Sequence, residues 1–191
     1  MATLHPNFIV GIGGSAGSLE AFKTLLNAMP SDTGMAFVFV LHLIPNATSH
    51  LVQILSRHTK MPVKVASMAL PILANHVYVS PPNTDLFIEN YSFRVVSPRS
   101  ARNTQIDLLF ISLSEVMKTR SIGIVLSGYD GDGTEGCRHI KALGGTTFAQ
   151  DISAEVPNMP LHAQASGCID FVIPLNKIPD ELKRLAASLK T

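Results

Sequence analysis

The sequence predicts an α/β protein: a doubly wound, mostly parallel sheet with helices on both faces and an antiparallel hairpin. Three observations predict it. Phe8–Ile12, Met35–Leu43 (broken only by His42) and Ile122–Leu126 are apolar runs without polar alternation, as strands covered on both faces require. Each is followed by a segment with apolar residues at helical spacing. Between the second and third runs, Leu86–Glu89 and Phe93–Val96 flank Asn90-Tyr91-Ser92, the pattern of a hairpin.

In chain order, the first strand leads into Gly11-Ile12-Gly13-Gly14-Ser15-Ala16-Gly17, small residues that suit a tight turn with its backbone open to a ligand. Leu19, Phe22, Leu25, Leu26 and Met29 then mark a helix that Pro30 ends. Ser31–Gly34 is a turn, Met35–Leu43 the second strand, and Pro45–Thr48 a loop. Strand, helix and strand in this order make a right-handed βαβ unit. Leu51, Ile54 and Leu55 mark a helix ending near His58, and Val63–Val65 and Val77–Val79 are short strands. After the hairpin, Ser97–Gln105 reads as polar and irregular, with Arg99 and Arg102 exposed. A helix follows over Ile106–Met117, then the strand Ile122–Leu126, the loop Ser127–Gly133 and a helix through Leu143 that Gly144-Gly145 stops. Thr146–Ala149 and Phe171–Ile173 are further strands, with helices over Met159–Ser166 and Ile178–Leu189.

Bulk properties narrow the function. At 191 residues the chain fits one domain, 1–191, and 46% hydrophobic against 15% charged residues excludes a disordered protein. A net charge of +1 with no basic stripe gives no case for nucleic acid. The longest apolar stretch is too short to span a bilayer and no signal peptide opens the chain, so a cytoplasmic protein is expected. Cys137 and Cys168 lack metal-ligand spacing and read as free thiols.

Sites in open α/β sheets form where loops meet at the carboxyl ends of strands. The first strand delivers Ser15 there, the second His42, and the third Asp130 and Asp132. A hydroxyl, an imidazole and a carboxylate are the parts of a nucleophilic triad: the imidazole takes the serine proton and the carboxylate fixes the ring. Taken singly, each has a plainer reading. Ser15 fits a tight turn, His42 a satisfied core position, Asp132 a helix N-cap and Asp130 a turn; their coincidence at three strand ends favours the triad. The remaining six histidines read as surface or packing residues. The rival is dinucleotide binding, because Gly11-Ile12-Gly13-Gly14-Ser15-Ala16 fits G-x-G-x-x-A after a strand. That site also needs an acidic residue at the end of the second strand, where this chain has His42-Leu43-Ile44. A non-catalytic partner-binding domain is a further alternative, although it would not require Ser, His and Asp together.

These residues resemble the catalytic domain of the chemotaxis protein-glutamate methylesterases (CheB-type), over nearly the whole chain. The likeness is carried by Ile12-Gly13-Gly14-Ser15-Ala16-Gly17, Leu41-His42-Leu43, His76-Val77-Tyr78-Val79 with Pro81-Pro82-Asn83, Ile106-Asp107-Leu108-Leu109-Phe110, Ser127-Gly128 with Gly131-Asp132-Gly133, Ala149-Gln150-Asp151 and Met159-Pro160. The resemblance implies hydrolysis of glutamate methyl esters on chemoreceptor helices, with glutamine deamidation as a companion activity. It implies Ser15 as nucleophile, His42 as general base, Asp132 as orienting carboxylate and the backbone N–H groups of Ala16 and Tyr129 as oxyanion donors. No cofactor and no metal are implied. The partner implied is a methylated chemoreceptor or similar helical protein, with fused or partner signalling domains; no receiver domain is present in the chain. Ser18, Thr104-Gln105, Tyr129, Asp130 and Asn158 depart from the usual pattern. The extra carboxylate of Asp130 is expected to raise the pKa of His42.

Overall fold

A computed structural model describes residues 5–42 and 50–189. Strand β1 (Ile9–Gly14), helix α1 (Ser18–Ala28) and strand β2 (Ala36–Leu41) form the opening βαβ unit. Helix α2 (Leu51–Ser56), β3 (Val63–Val65) and β4 (His76–Val79) extend one side of the sheet. The hairpin β5 (Asp85–Glu89) and β6 (Ser92–Val96) comes next, then α3 (Gln105–Met117) and β7 (Ser121–Val125). The chain closes with α4 (Thr134–Ala142), β8 (Thr146–Gln150), α5 (Asn158–Ala165), β9 (Phe171–Ile173) and α6 (Ile178–Ser188). Among the described residues the main sheet has the order β3-β4-β2-β1-β7-β8-β9, every ladder parallel. The doubly wound architecture read from the apolar runs is the one observed. The expected loop at Pro45–Thr48, with Leu43 and Ile44, lies outside the described residues.

Both faces of the sheet are buried, and the strand alternation divides them. Val10, Ile12, Phe37 and Phe39 pack on one side with Phe22, Leu25 and Leu26 of α1 and Ile178 and Leu182 of α6. Ile9, Val38 and Val40 pack on the other with Ile106, Phe110 and Leu113 of α3. β2 is apolar at every position because each successive side chain meets a different helical layer.

The first strand runs two residues further than Ile12, and this changes the meaning of its glycines. Gly13 and Gly14 pair with Val40 and Leu41 inside the ladder. Gly11 and Gly13 fall on the α3 face, where a Cβ would come 2.8 Å from Phe110 and 2.5 Å from Ile106. They are small so that α3 can lie close to the sheet, and no ligand reaches their backbone from that face. Gly17 alone in this stretch needs its lack of a side chain for conformation, with φ +76° immediately before α1.

The hairpin forms where expected, as a separate two-stranded sheet outside the parallel one. It covers the outer side of α3, and the Ile88 N–H donates to Ser112 Oγ at 2.9 Å. Gln105 begins α3 instead of closing the polar segment; it is buried, and its amide donates to Asp85 Oδ1 at 2.9 Å. Arg99, expected in solvent, is half-buried in the crevice beside His42, where its charge favours the ionised form of Asp85.

Candidate active site

β1 sits between β2 and β7, the two strands that the chain reaches by crossing to opposite sides. The carboxyl ends of these three strands therefore meet at a switch point, the place where such sheets hold ligands. Ser15 leaves β1 there, His42 follows β2, and Asp130 and Asp132 follow β7.

Backbone bonds fix the loops to one another. The Ser15 N–H donates to Ser127 O at 2.8 Å and the His42 N–H to Gly14 O at 3.3 Å. Ser127 Oγ donates to Ala16 O at 2.6 Å and accepts the Val156 N–H at 2.9 Å, tying the β1, β7 and β8 loops together. The sequence assigns Ser127 no role of its own; it marks the residue only as part of the motif Ser127-Gly128 and as a hydroxyl directly after the buried run Ile122–Leu126. The Ser15 side chain is partly exposed, and its hydroxyl has no hydrogen-bond partner among the described residues. The N–H groups of Ala16 and Tyr129 are likewise without partners among the described residues.

Asp132 is the most strongly held group. Its side chain is fully buried and Oδ2 lies 2.7 Å from His42 Nε2, across 90 residues of sequence. It also accepts the N–H groups of Ile106, Asp107 and Gly133, each at 2.9 Å. The plain reading of Asp132 as a cap for the helix that follows it is replaced by a longer-range one. It caps α3, which begins 27 positions earlier, while Gly133 caps α4. Unpaired N–H groups and the dipole of α3 converge on the carboxylate and stabilise its charge. Asp107, one turn into α3, accepts the Gly136 N–H at 2.7 Å. Burial pushes its carboxyl up to about 6; the Gly136 N–H opposes this and the neighbouring Asp132 charge adds to it. The sequence assigns Asp107 no role of its own; it marks the residue only as part of the motif Ile106–Phe110 and as an acid in the first turn of a helix.

Asp130 meets the other ring nitrogen. Its Oδ2 lies 3.2 Å from His42 Nδ1, and its Oδ1 accepts the Asp132 N–H at 2.9 Å. A carboxylate cannot donate, so a ring satisfied on both sides by carboxylates carries two protons. Burial alone lowers the His42 pKa, but Asp130 and Asp132 outweigh it and hold the ring up at about 9. That is the direction expected from the extra acid at 130. The structure thus brings His42 together with both aspartates, and sets Ser15 at the end of the adjacent strand.

The described crevice at His42, formed with Ser80–Thr84 and Arg99, holds about 10 Å³, room for one water. The cleft at the ends of α1 and α2 is larger, about 520 Å³, and is lined by other residues. No group of three or more His, Cys, Asp and Glu among the described residues is arranged to hold a metal ion. The dinucleotide reading finds no support, because Phe110 and Ile106 occupy the space beside Gly11 and Gly13.

Comparison with known proteins agrees with this geometry. The sequence profile described as CheB methylesterase matches residues 10–182. A Trichodesmium erythraeum protein named protein-glutamate methylesterase/protein-glutamine glutaminase is 31% identical over 183 residues, which are 92% of this chain and 52% of that protein. A Leptospira interrogans protein bearing the same double name in provisional form is 35% identical over 178 residues, 91% of this chain and 92% of that one. The crystal structure of the Thermotoga maritima CheB methylesterase catalytic domain superposes with a TM-score of 0.85 at 28% identity, covering 93% of this chain and 98% of that one.

Proposed function

The chain belongs to the CheB methylesterase family, and on that premise we propose that it is a protein-glutamate methylesterase acting on chemoreceptor-type helices. Ser15 is the nucleophile, His42 the general base and Asp132 the orienting carboxylate. The observation that carries this reading is the 2.7 Å contact of His42 with buried Asp132, at the strand end next to Ser15. A carboxylate so placed keeps the ring oriented and stabilises the imidazolium that forms when serine is deprotonated.

Ser15 Oγ attacks the ester carbonyl as His42 removes its proton. The Ala16 and Tyr129 N–H groups hold the oxyanion, assisted by the positive end of α1. The tetrahedral intermediate collapses, His42 returns the proton to the leaving oxygen, and methanol departs. Water, activated by the same ring, then splits the glutamyl–Ser15 ester to give the free glutamate. With a glutamine substrate the same steps release ammonia, the second activity in the names of the relatives. We propose further that residues 1–191 work as one catalytic unit in the cytoplasm, alone or joined to other signalling domains. No helix among the described residues is long and apolar enough to cross a membrane.

The test is methanol release from a methylated receptor fragment, with labelling of the protein by a serine-directed fluorophosphonate. Ser15→Ala is expected to lose turnover by up to about 10⁶-fold, as strongly coupled triads do, and to lose the label while remaining folded. Near wild-type methanol release from that variant overturns the assignment. Receptor binding with neither methanol release nor label at Ser15 would instead identify a partner-binding domain.

A further inference from the structure

Resting on the triad reading above, we propose that Asp130 is a positioning residue that competes with Ser15 for Nδ1 of His42 and latches the site until substrate displaces it. Nε2 is committed to Asp132 at 2.7 Å, so Nδ1 is the nitrogen left to accept a proton from serine. Nδ1 instead faces Asp130 Oδ2 at 3.2 Å, and the Ser15 hydroxyl has no partner among the described residues. The base and the nucleophile stand on adjacent strand ends, and a second acid occupies the nitrogen that would couple them.

The two aspartates differ in what holds them. Asp132 is fully buried and takes three backbone N–H groups, so it stays with the ring. The Asp130 side chain is 26% exposed, and its other bonds are local ones within its own turn, to the Asp132 N–H through Oδ1 and to its own backbone N–H. Rotation about its side-chain bonds can release Nδ1 and leave Asp132 in place. The same loop supplies the proposed oxyanion donor at Tyr129, so a substrate carbonyl drawn into that site arrives beside the latch.

Among the described residues, other charges around the ring are few. Asp107 of α3 lies behind Asp132, Arg99 lines the same crevice as the ring and stands near Asp85, and His162 of α5 lies close to Gly131. Asp130 is the acid that meets Nδ1, and it holds the ring in its doubly protonated form. With His42 at about 9, roughly one ring in a hundred is neutral at pH 7 and able to act as base.

The measurement is the pH dependence of Ser15 labelling by fluorophosphonate and of kcat/KM for methanol release, in wild type, Asp130→Asn and Asp130→Ala. Asparagine keeps an acceptor for the Asp132 N–H and removes the carboxylate charge from Nδ1; alanine removes the latch altogether. The expected result is a wild-type profile rising towards pH 9, and variant profiles displaced by at least about one pH unit to lower pH. At pH 7 that displacement corresponds to labelling about tenfold faster or more. Profiles and rates that coincide among all three proteins, with Ser15 still labelled, overturn the latch and leave the triad standing. Failure to label Ser15 in any of the three, at any pH, overturns the triad and the latch with it.

Discussion

The two sides of the His42 ring are built to different standards. On one, Asp132 is sealed under the first turn of α3, which is itself pressed against the sheet through Gly11 and Gly13. On the other, Asp130 stands on a turn, partly in solvent, at a longer distance from its nitrogen. Both are aspartates of the one loop Ser127–Gly133, so residue type does not decide the roles proposed for them. What decides them is the number of fixed donors around each carboxylate. On the roles proposed above, the acid that orients the base is held from several directions and the acid that gives way is held from few.

That contrast can be broken most severely at Asp132. Asp132→Asn is expected to lower kcat by about 10⁴-fold, because the amide favours the wrong protonation of the ring. Steady-state methanol release measures it, and a loss below tenfold would place Asp132 among the purely structural residues. Next in size is the pH dependence of stability. The folded-state pKa of His42 lies above its ordinary 6.5, so its contribution is fully present below about pH 6.5 and is lost as the pH rises through about 9. The loss amounts to at most about 3 kcal/mol by linkage. Urea unfolding between pH 6 and pH 10 would show it, and Asp130→Asn should flatten the slope if the exposed side of the ring carries a share. The smallest expected effect is that of Gly13→Ala. The added methyl meets Ile106, whose N–H donates to Asp132, and overpacking of this kind costs about 1–3 kcal/mol. The damage should fall on the buried side alone, lowering Tm and kcat while leaving the pH displacement caused by Asp130→Asn unchanged.

Much of the frame was legible beforehand because buried parallel strands leave uninterrupted apolar runs. Phe171–Ile173 begins and ends where its residues suggest, and Met35–Leu43 differs from β2 only at its ends. The meeting of the Ser15, His42 and Asp132 loops followed from the rule that sites gather at carboxyl strand ends. Other features were not legible, for reasons of range. A local reading makes Asp132 a cap for the next helix, whereas its donors lie on a helix that precedes it by some 26 residues. Gly11 and Gly13 look like a ligand turn until strand alternation and the position of Phe110 and Ile106 are known together. Arg99 reads as exposed among polar neighbours, and only the packing of the hairpin against α3 brings it in beside Asp85 and His42.

The central place of β1 carries a consequence for how activity comes into being during synthesis. The ring and its buried acid are 90 residues apart in sequence, and the strand ends beneath them become neighbours only when β2 and β7 have both docked against β1. A nascent chain that has emerged as far as the hairpin has the serine and the imidazole but neither Asp130 nor Asp132. On the triad proposed above, turnover needs both halves of the sheet in place, which makes it a sensitive reporter of complete assembly.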